Sequence, residues 1–247
     1  MEKNNENIII KVDDVSKVFE IPHENRNTIK SFFMHPFKKV KKDEYSALDQ
    51  ISFHVKSGEF IGIIGRNGSG KSTLLKMLAQ IYEPTSGKII INGSLVPFLE
   101  LGVGFNPDLS GRENIFLNGT ILGISRKFIK NKFDEIVDFA EIREFIDLPV
   151  KNYSSGMTMR LAFSIAVQAR ADIYLLDEIL AVGDMGFQEK SLAKMQELLT
   201  GGATVVLVSH NLTDIESYCD RVILLEHGQI LFNGDTKAGA DMYKSIL

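Results

Sequence analysis

The sequence predicts an α/β fold built on a mainly parallel, doubly wound sheet. Three observations carry that expectation. Short apolar runs rich in β-branched residues, Phe60–Ile64, Ile173–Leu176 and Thr204–Val208, recur with helical patterns between them, an alternation that sets strands side by side and helices over both faces. The first run leads straight into Gly65-Arg66-Asn67-Gly68-Ser69-Gly70-Lys71-Ser72-Thr73, and the helical stretch Leu74–Ala79 follows. A strand, a glycine-rich loop and a helix in that order make a phosphate-binding unit. With 247 residues, 44% of them hydrophobic, the chain can bury a large core, as one α/β domain or a domain with a subdomain.

Composition removes several classes. The formal net charge of −4 leaves no global basic footprint, so nucleic acid is not an expected partner. The single cysteine, Cys219, allows no disulfide within the chain, fits a reducing compartment and reads as a small packed residue. The N-terminal Met1–Asn7 is polar and lacks an apolar signal core, and no stretch is long and apolar enough to span a bilayer. The expectation is a soluble chain; if it works at a membrane, another chain does the spanning.

Taken in order, Ile8–Val12 and Val15–Phe19 read as extended chain. Pro22 and Asn25-Arg26-Asn27 mark a loop. From Thr28 to Phe37 the residues Ile29, Phe32, Phe33 and Phe37 fall on one face of a short helix, which Pro36 should disturb at its end; Lys38, Lys39, Lys41 and Lys42 follow as a basic run. Ala47–Val55 alternates like a strand returning to the sheet, Lys88–Gly93 reads as an edge hairpin, and Leu95–Leu99 as a strand leading into the loop Gly102–Phe105. The texture from Ser110 to Glu144 is helical, with Gly111-Arg112-Glu113-Asn114 opening the first helix. Tyr153–Gly156 opens a further helix, Met157 to Arg170. A helix near Phe187–Leu199, another over Asn211–Cys219, a terminal hairpin (Arg221–Leu225, Gly228–Phe232) and a helical tail complete the chain.

The chemistry sits at strand ends. Gly65, Gly68 and Gly70 let the backbone approach a phosphate, with the loop N–H groups and the following helix dipole turned toward it. Arg66, Asn67, Ser69 and Thr73 complete the loop; Lys71 would sit on the β- and γ-phosphates and Ser72 would place its hydroxyl on Mg²⁺. Asp177 and Glu178 end a buried strand, at the sheet edge where ligands bind. Asp177 is then the metal partner and Glu178 is placed to orient a water in line with the γ-phosphate. His210 ends the next strand, after Ser209, where an imidazole can contact the γ-phosphate.

These motifs in this order resemble the nucleotide-binding subunits of ATP-binding cassette (ABC) transporters, from Ile8 to about Gly234. The resemblance implies a phosphate-loop ATPase core with a mainly parallel sheet, an N-terminal antiparallel β subdomain and an inserted helical subdomain. It implies one domain over residues 1–247, with an insertion at 20–44, the helical subdomain at about 100–165 and the terminal hairpin and tail at 221–247. ATP and Mg²⁺ would be bound. Ser154, Ser155 and Gly156 stand where the family carries its signature motif, usually Leu-Ser-Gly-Gly-Gln and here Tyr153-Ser154-Ser155-Gly156-Met157. The motif acts in trans, on ATP held by the other subunit, so a homodimer is implied, and Asp184 matches the dimer-contacting loop.

A second departure is the missing glutamine between the phosphate loop and the helical block, where Glu100 is the substitute oxygen donor near Mg²⁺. With Glu100–Phe105, Gly111–Ile115, the altered signature, Ala181–Asp184 and the 20–44 insertion, the chain looks like the branch that exports lipid-linked polysaccharides: O-antigens, capsular glycans or teichoic acids. That branch implies an integral membrane partner, a lipid-linked glycan as substrate and a peripheral position on the cytoplasmic face of the cell membrane, where the aromatic face and lysine run of the insertion would meet the partner and lipid headgroups. Tyr45 is the first choice to stack on adenine and Phe19 the alternative. Import of a small solute, and a cassette ATPase acting on ribosomes or DNA, are the other classes; the Glu20–Glu44 insertion and the missing glutamine argue against the first, and the lack of a second cassette or coiled coil against the second.

Overall fold

The computed structural model describes residues 7–22, 42–99, 102, 104–177 and 183–247. The expected helix at 28–37 and its lysine run lie outside those residues. What flanks them is a long ladder. Strands β1 (Ile8–Pro22) and β2 (Lys42–Lys56) pair antiparallel from Ile8↔Lys56 to Pro22↔Lys42. Glu20 and Glu44, expected at the edges of the insertion, are therefore paired strand residues. Three of the four register shifts along this ladder fall between Val12 and Val18, where Asp14 and, across the ladder, Gln50 have positive φ of 48° and 50°. Strand β4 (Ser86–Ile91) pairs with β1 rather than forming a hairpin of its own. The result is a three-stranded antiparallel sheet in the order β2-β1-β4.

The second sheet has six strands: β3 (Phe60–Ile64), β5 (Leu95–Phe98), β6 (Ile173–Asp177), β7 (Thr204–Val208), β8 (Arg221–Glu226) and β9 (Gln229–Gly234), in the order β5-β6-β7-β3-β8-β9. All neighbours are parallel except β8 with β9, which is the mixed sheet that strand–helix alternation predicts.

Both faces of this sheet are covered, and the residues alternate between two cores. Ile61, Ile63, Leu175, Val206, Val208, Ile223 and Leu225 face the antiparallel sheet and helix α1 (Lys71–Leu78). Phe60, Ile64, Tyr174, Leu176, Val205, Leu207, Val222 and Leu224 face the remaining helices. A strand buried on both sides reads as an unbroken apolar run. The helices on the second face are α2 (Gly111–Ile121), α3 (Arg126–Ala140), α4 (Ser155–Ala166), α5 (Met185–Thr200), α6 (Leu212–Tyr218) and α7 (Thr236–Ile246). Cys219 lies in this core, 9% exposed, with its thiol pushed far up by burial. Helix α4 ends at Ala166, short of the expected Arg170. The buried Tyr174 hydroxyl donates to the Ala169 carbonyl at 2.8 Å and accepts the Ala171 N–H at 3.2 Å, which holds the chain in a turn where its apolar pattern would allow another helical turn.

Arg221 fastens the two sheets together. Its Nε donates to Glu59 Oε1 at 2.8 Å, its Nη2 to the His54 carbonyl at 2.8 Å and its Nη1 to Asn233 Oδ1. Burial raises the Glu59 carboxyl, but the Arg221 hydrogen bond and the Lys56 amide outweigh it, and the net shift is downward. A depressed carboxyl contributes stability that is complete above its unfolded value, about 4.3, and is lost as pH falls through the folded value. Arg221→Gln should therefore cost about 1–2 kcal/mol at neutral pH, the screened end of the range for breaking a part-buried pair, and the deficit should shrink below about pH 4. Equal urea midpoints for variant and parent at neutral pH would show that the pair contributes nothing.

Candidate functional site

The carboxyl ends of β3, β6 and β7 meet at one edge of the sheet. β7 lies between the other two, with Asp177 paired to Val208 and Ile63 to Val208. The loop after β3 turns back through two glycines that no other residue replaces easily. Gly65 has φ 153°, and a Cβ there would stand 2.2 Å from the Leu225 carbonyl oxygen; Gly70 has φ 107°, and a Cβ there would stand 2.6 Å from the Ala47 carbonyl oxygen. The loop is thus pressed between β8 and β2, and its open side faces a cavity of about 410 Å³.

That cavity is lined by Tyr45, Ala47, Asn67, Gly68, Gly70, Lys71, Ser72, Thr73, Asp177 and Val208. Its size falls in the range of small-molecule sites, about 300–1,000 Å³. Its electrostatics come from α1. This helix has no side-chain cap and no acidic residue in its first turn, whereas α2, α3, α4, α6 and α7 are capped by Ser110, Ser125, Ser154, Asn211 and Asp235. The uncapped N–H groups and the helix dipole leave positive potential at the loop. Lys71, only 8% exposed, adds a full charge; its Nζ donates to the carbonyls of Gly65 at 2.7 Å and Arg66 at 2.9 Å. Ser69 Oγ is buried with no hydrogen-bond partner. An orphaned hydroxyl, a buried ammonium and an uncapped helix end fit an anion of phosphate type. Ser72 and Asp177 both line the cavity, and two hard oxygen donors beside a phosphate fit Mg²⁺, which keeps water and phosphate as its other ligands. Among the described residues no cluster of three or more His, Cys, Asp or Glu stands ready to hold a metal by itself.

The remaining expected residues fall in four groups. Arg66 is exposed and Ser69 and Gly65 are buried beneath the loop. His210 is exposed, two residues beyond Val208. Ser154, Ser155 and Gly156 form the tip of α4, where Ser154 Oγ accepts the Met157 N–H at 3.2 Å; neither they nor Asp184 line the cavity. Glu178 and Glu100 lie outside the described residues.

Of the two aromatic candidates, Tyr45 lines the cavity and is 48% exposed. Its strand partner Phe19 is engaged elsewhere: its ring meets Tyr82 edge to face at 5.5 Å and Lys17 Nζ at 5.1 Å. Ala47 and Val208 line the cavity without having been singled out; Ala47 is two residues from Tyr45 on one strand, hence on the same face. The Gly111–Asn114 segment acts locally. Glu113 and Ser110 form a reciprocal capping box, Arg112 holds Asp147 at 2.7 and 3.2 Å, and the buried Asn114 amide donates to the carbonyls of Asn106, Leu109 and Ser110.

Comparison with known proteins agrees with this geometry. The family described as "ABC transporter" matches residues 48–181. The chain is 41% identical to the O-antigen export system ATP-binding protein RfbB of Klebsiella pneumoniae, over 97% of this chain and 98% of that one. It is 40% identical to the teichoic acids export ATP-binding protein TagH of Listeria innocua, over 98% of this chain and 71% of that longer one. A solved structure of the ATP-binding cassette MJ0796, described as a dimeric post-hydrolysis state bound to ADP and Pi, superposes with a TM-score of 0.73 at 22% identity, covering 92% of this chain and 98% of that chain, and shows the shared fold.

Tyr45→Ala should weaken ATP binding about 5- to 150-fold, the worth of one base–aromatic stack, and leave binding of inorganic tripolyphosphate unchanged. Titration of both ligands checks it; an unaltered ATP affinity would remove Tyr45 from the site.

Proposed function

The chain belongs to the ABC transporter family, and from that premise we propose that it is the ATP-hydrolysing subunit of an exporter of lipid-linked polysaccharide, working as a pair of identical ATPase subunits beneath a membrane-spanning partner on the cytoplasmic face of the membrane. The observation that carries the ATPase reading is the uncapped α1 N-terminus opening into a cavity that holds Lys71, Ser72 and Asp177 together. Likeness over nearly the whole chain to O-antigen and teichoic acid export subunits supports the glycan as cargo.

In this reading the loop amides and Lys71 bind the phosphates, Tyr45 stacks on adenine, and Ser72 and Asp177 hold Mg²⁺, which would shield phosphate charge. Glu178 orients the attacking water, His210 contacts the γ-phosphate, and Glu100 lends an oxygen near the metal. Ser154, Ser155, Gly156 and Asp184 serve the nucleotide on the second copy. Their exposure at the tip of α4 and the start of α5, away from their own cavity, supports that division. ATP binds the closed pair better than the open pair, and hydrolysis removes that preference.

A surface for the membrane partner is supported by an apolar groove of about 450 Å³ along α2. Phe116, Leu117 and Ile121 line it together with Arg112 and Arg126; Ile121 is 61% exposed. Among the described residues no helix is long and apolar enough to cross a membrane.

Glu178→Gln should bind ATP within about twofold of the parent, lose about a hundredfold or more of turnover, as expected for a lost general base, and elute as a dimer with Mg²⁺–ATP. Turnover at the parental rate would sink the water-orienting role. Leu117→Asp with Ile121→Asp, both at exposed positions, should leave ATP affinity and melting temperature unchanged yet shift the protein from the membrane to the cytosolic fraction of expressing cells; undiminished membrane recovery would discard the groove as the docking surface.

A further inference from the structure

A group of four charges lies between α3, α4 and α5, and nothing in the nucleotide cavity uses it. Glu141 closes α3 in the left-handed conformation, φ 58° and ψ 41°. That position favours glycine, because any side chain crowds the backbone there. Here it is occupied by a glutamate whose two oxygens are both engaged. Oε2 accepts from Arg160 Nη1 at 3.2 Å, and Oε1 accepts from Lys190 of α5. Arg160 lies on α4, one helical turn beyond Gly156, and is only 19% exposed. The same Nη1 stands 3.8 Å from Asp184 Oδ2, while Asp184 Oδ1 accepts the Phe187 N–H at 3.0 Å at the start of α5.

These charges are not needed to hold the three helices together. Directly within the same layer Phe139 of α3, Phe163 of α4 and Phe187 of α5 form a closed triangle of rings, with centroids 6.1, 5.6 and 5.8 Å apart. Buried aromatic contacts of this kind dominate packing, whereas partly exposed ion pairs contribute little to stability. A glutamate kept in a glycine-type conformation, beneath water-accessible ion pairs, is a poor device for stability. It is a good device for orientation, because one Arg160 nitrogen hydrogen-bonds Glu141 and stands within ion-pair range of Asp184.

We infer that Glu141 and Arg160 are positioning residues that hold Asp184 at a fixed offset from the serine-bearing tip of α4, so that the two parts one chain offers to a second copy arrive as a unit. The inference rests on the dimeric reading above. Glu141 and Arg160 touch neither nucleotide nor cavity; they act through Asp184 and the α4 tip.

Glu141→Gly separates orientation from stability. It removes the carboxylate and relaxes the backbone together. The expected result in the purified full chain is an unchanged or higher melting temperature and an ATP affinity within about twofold, with kcat for Mg²⁺–ATP lower by about tenfold and KM changed by less than about threefold. Arg160→Gln should lower kcat similarly, and the double variant should be no slower than the slower single within about twofold, because both remove one shared interaction. Parental kcat in Glu141→Gly overturns the inference, and so does a variant that melts lower in proportion to its lost activity. Parental turnover that does not depend on protein concentration overturns the dimeric reading and the inference with it. Turnover that rises more steeply than concentration in both parent and Glu141→Gly, at equal kcat, overturns the inference alone.

Discussion

The structure is arranged around a concentration of positive potential at the phosphate loop. The first turn of α1 presents N–H groups without a side-chain cap, and the Lys71 ammonium is buried beside them against carbonyl dipoles. A buried charge in a region of low dielectric interacts strongly with any counter-charge that enters. A phosphate is therefore drawn to the loop by groups already in place, at little cost in reorganisation. Asp177, at the end of the strand two removed from β3, lines the same cavity.

Holding such a loop against a sheet requires strands that cannot shift. β3, β6, β7 and β8 achieve this by dividing their side chains between two cores, so that a slip of one residue would exchange every partner on both faces at once. The antiparallel sheet then seals α1 against the outer face, and Arg221 ties β2, β8 and β9 at the far end. The site is thus built on strands packed on both faces, while the elements assigned to a second copy, the α4 tip and Asp184, lie in the helical layer.

The central strands and the phosphate loop were legible because their signals are local: continuous apolar runs, and a fixed spacing of glycine, lysine and serine. What was not legible depends on contacts remote in sequence. Nothing in Lys88–Gly93 says that its partner is β1. The choice between Tyr45 and Phe19 turns on Tyr82, which occupies the Phe19 ring from the loop after α1. The early end of α4 is set by the hydroxyl of Tyr174 on a neighbouring strand. Glu141 escaped notice for a different reason. A left-handed helix end is normally read from glycine or asparagine, and a glutamate in the sequence Phe139-Ala140-Glu141-Ile142 gives no such cue; only its backbone angle and the two cations on its carboxylate mark it.

The helical layer also explains how a groove on α2 and a serine tip on α4 can belong to one mechanical body. The segment leading to that tip is bonded to the start of α2 along its length. Gly111 N–H meets the Leu148 carbonyl at 3.2 Å, Arg112 N–H meets that of Ile146 at 2.9 Å, and Val150 and Lys151 donate back to Leu109 and Pro107 at 2.9 Å each. The Tyr153 hydroxyl, adjoining Ser154, closes onto the Phe145 carbonyl at 2.7 Å and fills the space where a side chain on Gly111 would sit. Backbone hydrogen bonds at these distances do not stretch far without breaking, so a displacement of the first turn of α2 carries the residues before Ser154 along with it. Tyr153 therefore does what leucine at this place could not: its hydroxyl ties the residue before Ser154 to the Phe145 carbonyl and packs against the first turn of α2.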